Sequence, residues 1–214
     1  GSHVFMHEYD GIGNHTLWGD NAVTNEYAHN SLNQLTSSQR ISVPSVAPCE
    51  MTYSSNGGLA SDGTWLYAYD AEDRLVSVTS ASLTNGALRV ENAYDWRDRR
   101  ISKTMSRYDS TDETWNVVER RAFTYADWNL VHETIMQIGG AVPTATEVQY
   151  FWGLDLSETL QGAGGVGGLL AVSINGAFYI PCYDNNGNVT KYVGETGAVV
   201  ASYAYDDFGQ IISH

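Results

Sequence analysis

The chain is short of proline and cysteine, and the shortage of cysteine excludes one class of fold. Its 214 residues include 4 prolines and 2 cysteines. Two cysteines are too few for a disulfide scaffold, and no Cys/His set has the spacing of a zinc site. Cys49 and Cys182 stand far apart in the sequence. The sequence leaves open whether they pair or remain free thiols.

Basic residues are also scarce. There are 11 Lys and Arg against 25 Asp and Glu, which gives a formal net charge of −14. We expect no nucleic-acid partner, because phosphate recognition needs clustered positive charge. One basic cluster comprises Arg97, Arg99 and Arg100. Because Asp95 and Asp98 lie among these arginines, the cluster predicts a solvated, salt-bridged turn.

Long apolar runs and helical periodicity are missing too. No apolar run approaches the roughly 20 residues that span a bilayer, so we expect no membrane insertion. The segment SLNQLTSSQR from Ser31 could hold one helical turn, and the segment from Glu113 fits a strand as well as a helix. No signal peptide is visible. Residues 1–3 resemble an expression-tag remnant, and we assign 4–214 to a single domain.

Aromatic residues and glycine are abundant, and tyrosine opens a motif that recurs along the chain. There are 14 Tyr, 6 Trp and 21 Gly. The stretch YDNNGNV has relatives in YDAEDRL, YDWRDRRI and YDDFGQI, and such repetition is considered first. The full copies are Tyr9, Asp10 and Gly13; Tyr69, Asp70 and Asp73; Tyr94, Asp95 and Asp98; Tyr183, Asp184 and Gly187; and Tyr205, Asp206 and Gly209. Weaker copies follow Tyr27, Tyr53 and Tyr125.

The motif has the chemistry of a tight turn. An aspartate can bond the backbone two residues on, and Gly, Asn or Asp three places later tolerates the left-handed conformation. The flanks alternate with period two, as where Trp65, Tyr67 and Tyr69 share one face. Each copy therefore predicts a hairpin: a strand that ends in tyrosine, a four-residue turn, and a strand that starts at an aliphatic residue.

Two motifs resemble ligand-binding loops. GAGGVG at 162–167 fits a dinucleotide-binding pattern, but strand, an Asn175-Gly176 turn and strand follow it where a helix is needed, so we favour a glycine-rich connection. DNNGNVTKYVGE places oxygen ligands at calcium-loop spacing from Asp184 to Glu195. Val189 stands where that loop needs glycine, so we favour a plain turn.

Catalytic constellations are weak or absent, and we expect no enzyme activity and no cofactor. His132 and Glu133 could form an acid/base pair, but an ordinary polar pair is the commoner arrangement. Asp206 and Asp207 are adjacent, so on a strand they point to opposite faces. Trp96, Trp128 and Phe208 occupy turn interiors. Their rings could stack on sugars or on a partner protein, although we favour packing against the neighbouring hairpin.

The tyrosine-led units, together with YADWNLVHE and YFWGLDLSETLQGAGGVGGLLAV, resemble the YD repeats of the rearrangement-hotspot (Rhs) family. This resemblance implies an all-β fold of antiparallel hairpins in one long twisted sheet, an arc of a spiral shell. In toxins of the family the shell encloses a C-terminal toxic domain, and in surface members the repeats form an extracellular body. A carbohydrate-binding role is also ascribed to these repeats.

The sequence departs from the family's toxins in one respect. Those toxins carry a core segment after the repeats, with an aspartate-dependent self-cleavage site, and no such segment occurs here. Self-cleavage and toxicity are therefore not carried over to any residue.

We expect a non-catalytic scaffold or shell wall of a secreted or cell-surface bacterial protein. The alternative is a carbohydrate-binding module that uses Trp96 and Trp128. The expected partners are neighbouring repeats or another copy of the chain, bound through exposed strand edges, with glycans as a further class.

Overall fold

A computed structural model describes residues 5–20, 23–43, 47–206, 209 and 211–213. Residues 1–3, assigned to a tag, and Phe208 lie outside this part of the chain. The described residues form twenty strands and no helix. The prediction of an all-β chain is therefore confirmed.

The strands range from two to thirteen residues, and most follow one another closely. They are β1 (Phe5–Tyr9), β2 (His15–Asp20), β3 (Val23–His29), β4 (Leu35–Arg40), β5 (Cys49–Glu50), β6 (Thr52–Tyr53), β7 (Leu59–Ser61), β8 (Trp65–Tyr69), β9 (Leu75–Ser80), β10 (Leu88–Tyr94), β11 (Arg100–Asp109), β12 (Thr114–Ala126), β13 (Asn129–Gln137), β14 (Thr144–Trp152), β15 (Leu169–Ile174), β16 (Ala177–Tyr183), β17 (Val189–Gly194), β18 (Val199–Ser202), β19 (Ala204–Tyr205) and β20 (Ile211–Ser213). Chain order and sheet order coincide, because hairpins join sequence neighbours.

Three sheets contain these strands. Strands β1 to β5 pair in sequence order, β6 to β18 form a thirteen-stranded sheet in sequence order, and β19 pairs with β20. The registers that the structure gives are antiparallel, for example β8 with β9 and β15 with β16. This is the hairpin arrangement that the period-two flanks predict.

The chain divides into two compact units, which are described separately. The first comprises Gly1–Glu91 with Arg107–Trp115, and the second comprises Asn92–Ser106 with Asn116–His214. In the first unit Trp65, Tyr67 and Tyr69 are half-buried while the residues between them are exposed, as the alternation predicts. In the second unit the Asn175-Gly176 turn joins β15 to β16, and both turn residues have positive φ, 49° and 90°.

One segment differs from its prediction. SLNQLTSSQR forms no helical turn: its second half is strand β4, which pairs with β3 through Tyr27 opposite Ser38. The pairing supplies backbone hydrogen-bond partners that one isolated helical turn lacks.

Little apolar surface is fully buried. Ala87, Val148 and Val172 are the buried hydrophobic residues among those described. The buried polar residues outnumber them and are Ser106, Glu119, Glu133, Asp155 and Ser173. The strands pack chiefly on their sequence neighbours. Specific polar contacts therefore contribute a larger share of the stabilisation here than they do in a two-layer domain, where an apolar core contributes most of it.

The largest buried polar cluster lies on one face of the second unit. Arg121 Nε donates to Glu119 Oε1 at 2.7 Å, and its Nη1 donates to Glu133 Oε1 at 3.0 Å. Gln137 and the Tyr150 hydroxyl donate to the remaining carboxylate oxygens at 2.6 and 2.9 Å. The Arg121 hydrogen bond lowers the pKa of Glu119. Glu119 is thus held in the ionised form, and each oxygen of both carboxylates accepts a hydrogen bond.

Arg121→Met tests whether this cluster stabilises the unit. Removing the guanidinium leaves two carboxylates that are each 6% exposed, and we expect a loss on the order of 3 kcal/mol in the free energy of unfolding. The measurement is urea denaturation at neutral pH. Arg120→Met is the matched control, since Arg120 is exposed on the opposite face. Equal effects of the two substitutions would contradict the assignment.

Candidate functional site

The turns after the lead tyrosines form the candidate site, and Asp10 shows how each is built. Its carboxylate Oδ1 accepts the backbone N–H groups of Ile12 and Asn14 at 3.0 and 2.8 Å. Its Oδ2 accepts the side-chain amide of Asn14 at 2.8 Å. The N–H of Gly13, where φ is +92°, donates to the Asp10 carbonyl at 3.2 Å. The pattern matches a type I turn followed by a left-handed residue.

Three other complete copies repeat this geometry, and the fifth shares its backbone hydrogen bond. Asp70, Asp95 and Asp184 each accept two backbone N–H groups at 2.9 to 3.1 Å, from the residues two and four places on. The left-handed positions are Asp73 (φ 60°), Asp98 (φ 62°), Gly187 (φ 82°) and Gly209 (φ 81°). Gly209 donates to the Asp206 carbonyl at 3.0 Å.

The turn carboxylates are stabilised in the ionised form. The side chain of Asn14 lowers the pKa of Asp10, and that of Arg99 lowers the pKa of Asp95. The backbone N–H of Arg74 lowers the pKa of Asp70, and the Asn188 side chain lowers that of Asp184. An aspartate held in this way accepts hydrogen bonds and does not serve as a general acid.

The lead tyrosines close strands. Those of the five full copies, Tyr9, Tyr69, Tyr94, Tyr183 and Tyr205, are the last residues of β1, β8, β10, β16 and β19. The hydroxyls that donate to a backbone carbonyl are Tyr53 to Leu35 (2.7 Å), Tyr125 to Arg100 (3.1 Å), Tyr183 to Leu169 (2.6 Å) and Tyr205 to Val189 (2.7 Å). Every acceptor is the first residue of an earlier strand, so each hydroxyl ties its hairpin to a preceding one.

Trp152 makes the same tie without a tyrosine. Its indole Nε1–H donates to the carbonyl of Leu130 at 2.7 Å. It also ends a strand, β14, with a register irregularity just before it. Sequence reasoning missed this residue, since its motif does not begin with tyrosine.

Asp155 heads a further turn of the same type. Its backbone N–H donates to the Thr159 carbonyl at 2.7 Å, and the N–H of Glu158 donates to the Asp155 carbonyl at 2.9 Å. Glu158 is the left-handed residue of the turn, with a φ of 60°. The sequence does not reveal this turn, because Leu154 occupies the tyrosine position.

The Asp155 carboxylate also holds the glycine-rich loop. It accepts the N–H groups of Ala163 and Gly165 at 2.6 and 3.2 Å, and its side chain is nearly buried. The Ser157 hydroxyl donates at 2.6 Å and lowers the pKa of Asp155 to about 2. The loop leads into strand β15. GAGGVG is therefore a connection pinned by a carboxylate, and the helix of a dinucleotide site does not follow it.

Side chains link successive turns to one another. The links are Asn14 to Asn33 (3.0 Å), Gln34 to the Gly57 carbonyl (3.3 Å), Asn56 to Asp73, Arg97 to Asp127 (2.6 Å) and Gln161 to Asn129. Gly187 lies against the preceding loop, since a Cβ there would meet Val166 at 2.5 Å. Within each unit the turns therefore stand in rows.

Two weaker copies differ from their prediction. In the copy that follows Tyr27, Asn30 occupies the aspartate position. Its side-chain oxygen accepts the N–H groups of Leu32 and Gln34. His29, not Tyr27, therefore occupies the lead position. In the copy that follows Tyr125, Ala126 pairs with Asn129, so the loop consists of Asp127 and Trp128 alone. Asp127 has φ of 53°, and a two-residue loop of this kind suits the twist of a hairpin.

The two turn tryptophans are exposed, which differs from the packing that we favoured. Trp96 is 85% exposed and Trp128 is 54% exposed. The Arg97 guanidinium lies 5.1 Å from the Trp96 ring centroid and pairs with Asp127. Arg99 pairs with Asp95 at 2.7 Å, so these arginines lie in the expected salt-bridged turn.

The remaining candidates are not brought together. Asp184 and Glu195 flank the six residues of β17, about 20 Å apart, which excludes their sharing a calcium ion. His132 pairs with Glu147 at 2.7 Å, whereas Glu133 contacts Arg121 on the opposite face.

Cys49 and Cys182 are free thiols. No helix in the described ranges is long and apolar enough to span a bilayer.

Comparison with known proteins gives two kinds of similarity, although no protein-family model matches the chain. It is 27% identical over 210 residues to the tRNA3(Ser)-specific nuclease WapA of Bacillus spizizenii, an alignment that covers 96% of the chain and 8% of the relative. It is 32% identical over 107 residues to the tRNA nuclease WapA of Bacillus subtilis, covering 48% of the chain and 4% of the relative.

The structural similarity is to a chain of the Photorhabdus luminescens Tc holotoxin pore. The TM-score is 0.51 at 14% identity, and the match covers 98% of this chain and 13% of that chain. The chain therefore spans less than a tenth of the curated relatives and shares its fold with part of a toxin. Both similarities support the resemblance to Rhs-type, toxin-related proteins.

Tyr183→Phe tests the tie between hairpins. Burial raises the pKa of the Tyr183 hydroxyl, so it stays protonated and donates. Its loss leaves the Leu169 carbonyl without this donor, and we expect about 1 kcal/mol less stability by urea denaturation. Tyr179→Phe is the control, because that hydroxyl has no hydrogen bond to a described residue. A Tyr183→Phe protein as stable as the control would disprove the role.

Acid unfolding tests the turn carboxylates. A lowered pKa means that the stabilisation is complete above the unfolded value near 3.8 and is lost as pH falls toward about 2, the value for Asp155. We expect unfolding free energies that are level near neutrality and fall between pH 4 and pH 2. Asp155→Asn should be less stable at pH 7 and show a shallower fall. The exposed Asp112→Asn should follow the parent, and an Asp155→Asn curve parallel to the parent would refute the assignment.

Proposed function

We propose that the chain is a non-catalytic wall segment of a larger, Rhs-type, toxin-related bacterial protein that is secreted or displayed at the cell surface. Any nuclease activity of such a protein would lie outside this segment. The observation that carries the proposal is the use of the turn side chains: the repeated carboxylates bind backbone N–H groups, and the lead hydroxyls bind backbone carbonyls. These residues build the sheet and do not converge on a substrate.

The strand order supports a wall that continues through neighbours. The thirteen-stranded sheet ends at β6 and β18. Strand β18 carries no charge, and its Val199 and Val200 are 55% and 53% exposed. An uncharged edge strand invites pairing with another strand, so the proposed partners are adjacent repeats or a second copy of the chain. The net charge of −14 would restrain open-ended association.

Glycan binding is the second candidate function. It is favoured by the exposure of Trp96 and Trp128 and by the Arg97 contacts that join their turns. Exposed rings present apolar faces on which sugars can stack. The two candidates differ in what they require: a wall requires the carboxylates and hydroxyls, whereas a glycan site requires the two indoles.

One set of assays separates these functions. The purified chain is incubated with tRNA and Mg²⁺, screened on a glycan array, and sized by light scattering from low to high micromolar concentration. We expect intact tRNA, no reproducible glycan, and concentration-dependent association. Cleavage of tRNA that a single substitution abolishes would overturn the non-catalytic assignment.

Matched variants decide between the wall and the glycan site. Array hits lost in Trp96→Ala or Trp128→Ala, but kept in Leu32→Ala, would favour the glycan module. Leu32 is a fitting control because it is 75% exposed on another turn. A strictly monomeric chain at all concentrations would count against edge pairing.

A further inference from the structure

Two histidines face each other on the first hairpin. His7 lies in β1 and His15 begins β2. Their nitrogens, His7 Nδ1 and His15 Nε2, are 3.1 Å apart. The rings are inclined by only 13°, with centroids 5.1 Å apart. Both residues are half-buried.

Neighbouring tyrosines hold the His15 ring in place. Tyr9 on β1 lies 4.9 Å away at an interplanar angle of 16°, and Tyr27 on β3 lies 5.4 Å away at 18°. Three strands thus contribute to one row of nearly parallel rings. A ring fixed in this way loses little rotamer freedom when it binds a ligand.

The nitrogen separation suits two ligands of one metal ion. Imidazole nitrogens bind zinc at about 2.0–2.1 Å. Two such ligands are about 2.9 Å apart at a right angle and about 3.3 Å apart at the tetrahedral angle. The observed 3.1 Å lies between these values.

The three strands that hold this row carry no cationic side chain. Strands β1, β2 and β3 contain no lysine or arginine, and Asp20 lies on the same face as the two histidines. Among the described residues no group of three or more His, Cys, Asp or Glu could hold a metal ion. The two imidazoles are therefore the ligands that the described part of the chain offers.

We propose that His7 and His15 form a two-histidine site for a divalent transition-metal ion of the zinc class. In the metal-bound form each neutral imidazole holds its proton on the nitrogen away from the metal, at Nε2 of His7 and Nδ1 of His15. The ion cross-links β1 to β2 and stabilises the first hairpin by binding the folded state.

The test is calorimetric titration with ZnCl₂ at pH 7.5, together with CoCl₂ absorption spectroscopy. All proteins carry His3→Ala, so that the histidine of the tag remnant does not compete. We expect one ion per chain, visible Co²⁺ bands, and a melting temperature that rises with ZnCl₂. His7→Gln and His15→Gln should each weaken binding at least tenfold.

The controls are His29→Gln, which lies on the same sheet, and His132→Gln, which lies on the thirteen-stranded sheet. Both should bind as the parent does. Circular dichroism in EDTA establishes that each variant keeps its β-sheet spectrum. Unchanged affinity in His15→Gln, or equal losses in all four variants, would mean adventitious binding only and would overturn the site. NMR provides a second readout: Zn²⁺ should shift the ring signals of His7 and His15 and leave those of His29 in place.

Discussion

The capture of backbone N–H groups by the aspartate of the same turn is the interaction on which the rest of the structure depends. A tight turn exposes donors that no strand partner can satisfy, and one carboxylate satisfies two of them in the turns of Asp10, Asp70, Asp95 and Asp184. The left-handed residue then closes the loop and places an irregularity beside the lead residue, as at Ala68/Tyr69 and Cys182/Tyr183. Because a one-residue slip would turn every side chain to the other face, this local device fixes the register of the whole sheet.

The tyrosine hydroxyl adds a recurring tie between hairpins that is not part of a strand ladder. Phenylalanine would fill the same space, but it could not donate to the strand-opening carbonyl that Tyr183 or Tyr205 reaches. Trp152 makes the tie with an indole N–H, which indicates that the donor matters more than the ring. Stability therefore accumulates between neighbours, as in other quasi-one-dimensional repeat proteins.

The sequence predicts what is local and misses what depends on pairing. Tyrosine-ended strands and aspartate-headed turns follow from residues within one motif, and the structure has them at Tyr69 and Asp70. The Asp155 turn was hidden because leucine stands where tyrosine was sought. His29, not Tyr27, occupies the lead position, because the turn begins at Asn30 and the residue before that turn ends the strand. Neither the hydroxyl acceptors nor the His7–His15 contact could be found, since both require the register between strands.

A sheet with few buried apolar residues has to obtain its specificity elsewhere, and here it comes from paired polar groups. The Glu119, Arg121 and Glu133 network is satisfied on every side, so it favours one register at little cost in unpaired charge. The same logic bears on function. The aspartates and hydroxyls that repeat along the chain bind the backbone, whereas some side chains outside the repeat pattern contact other side chains or solvent instead. The exposed indole of Trp96 and the facing imidazoles of β1 and β2 are departures of this kind, and a function specific to this chain is to be sought in them.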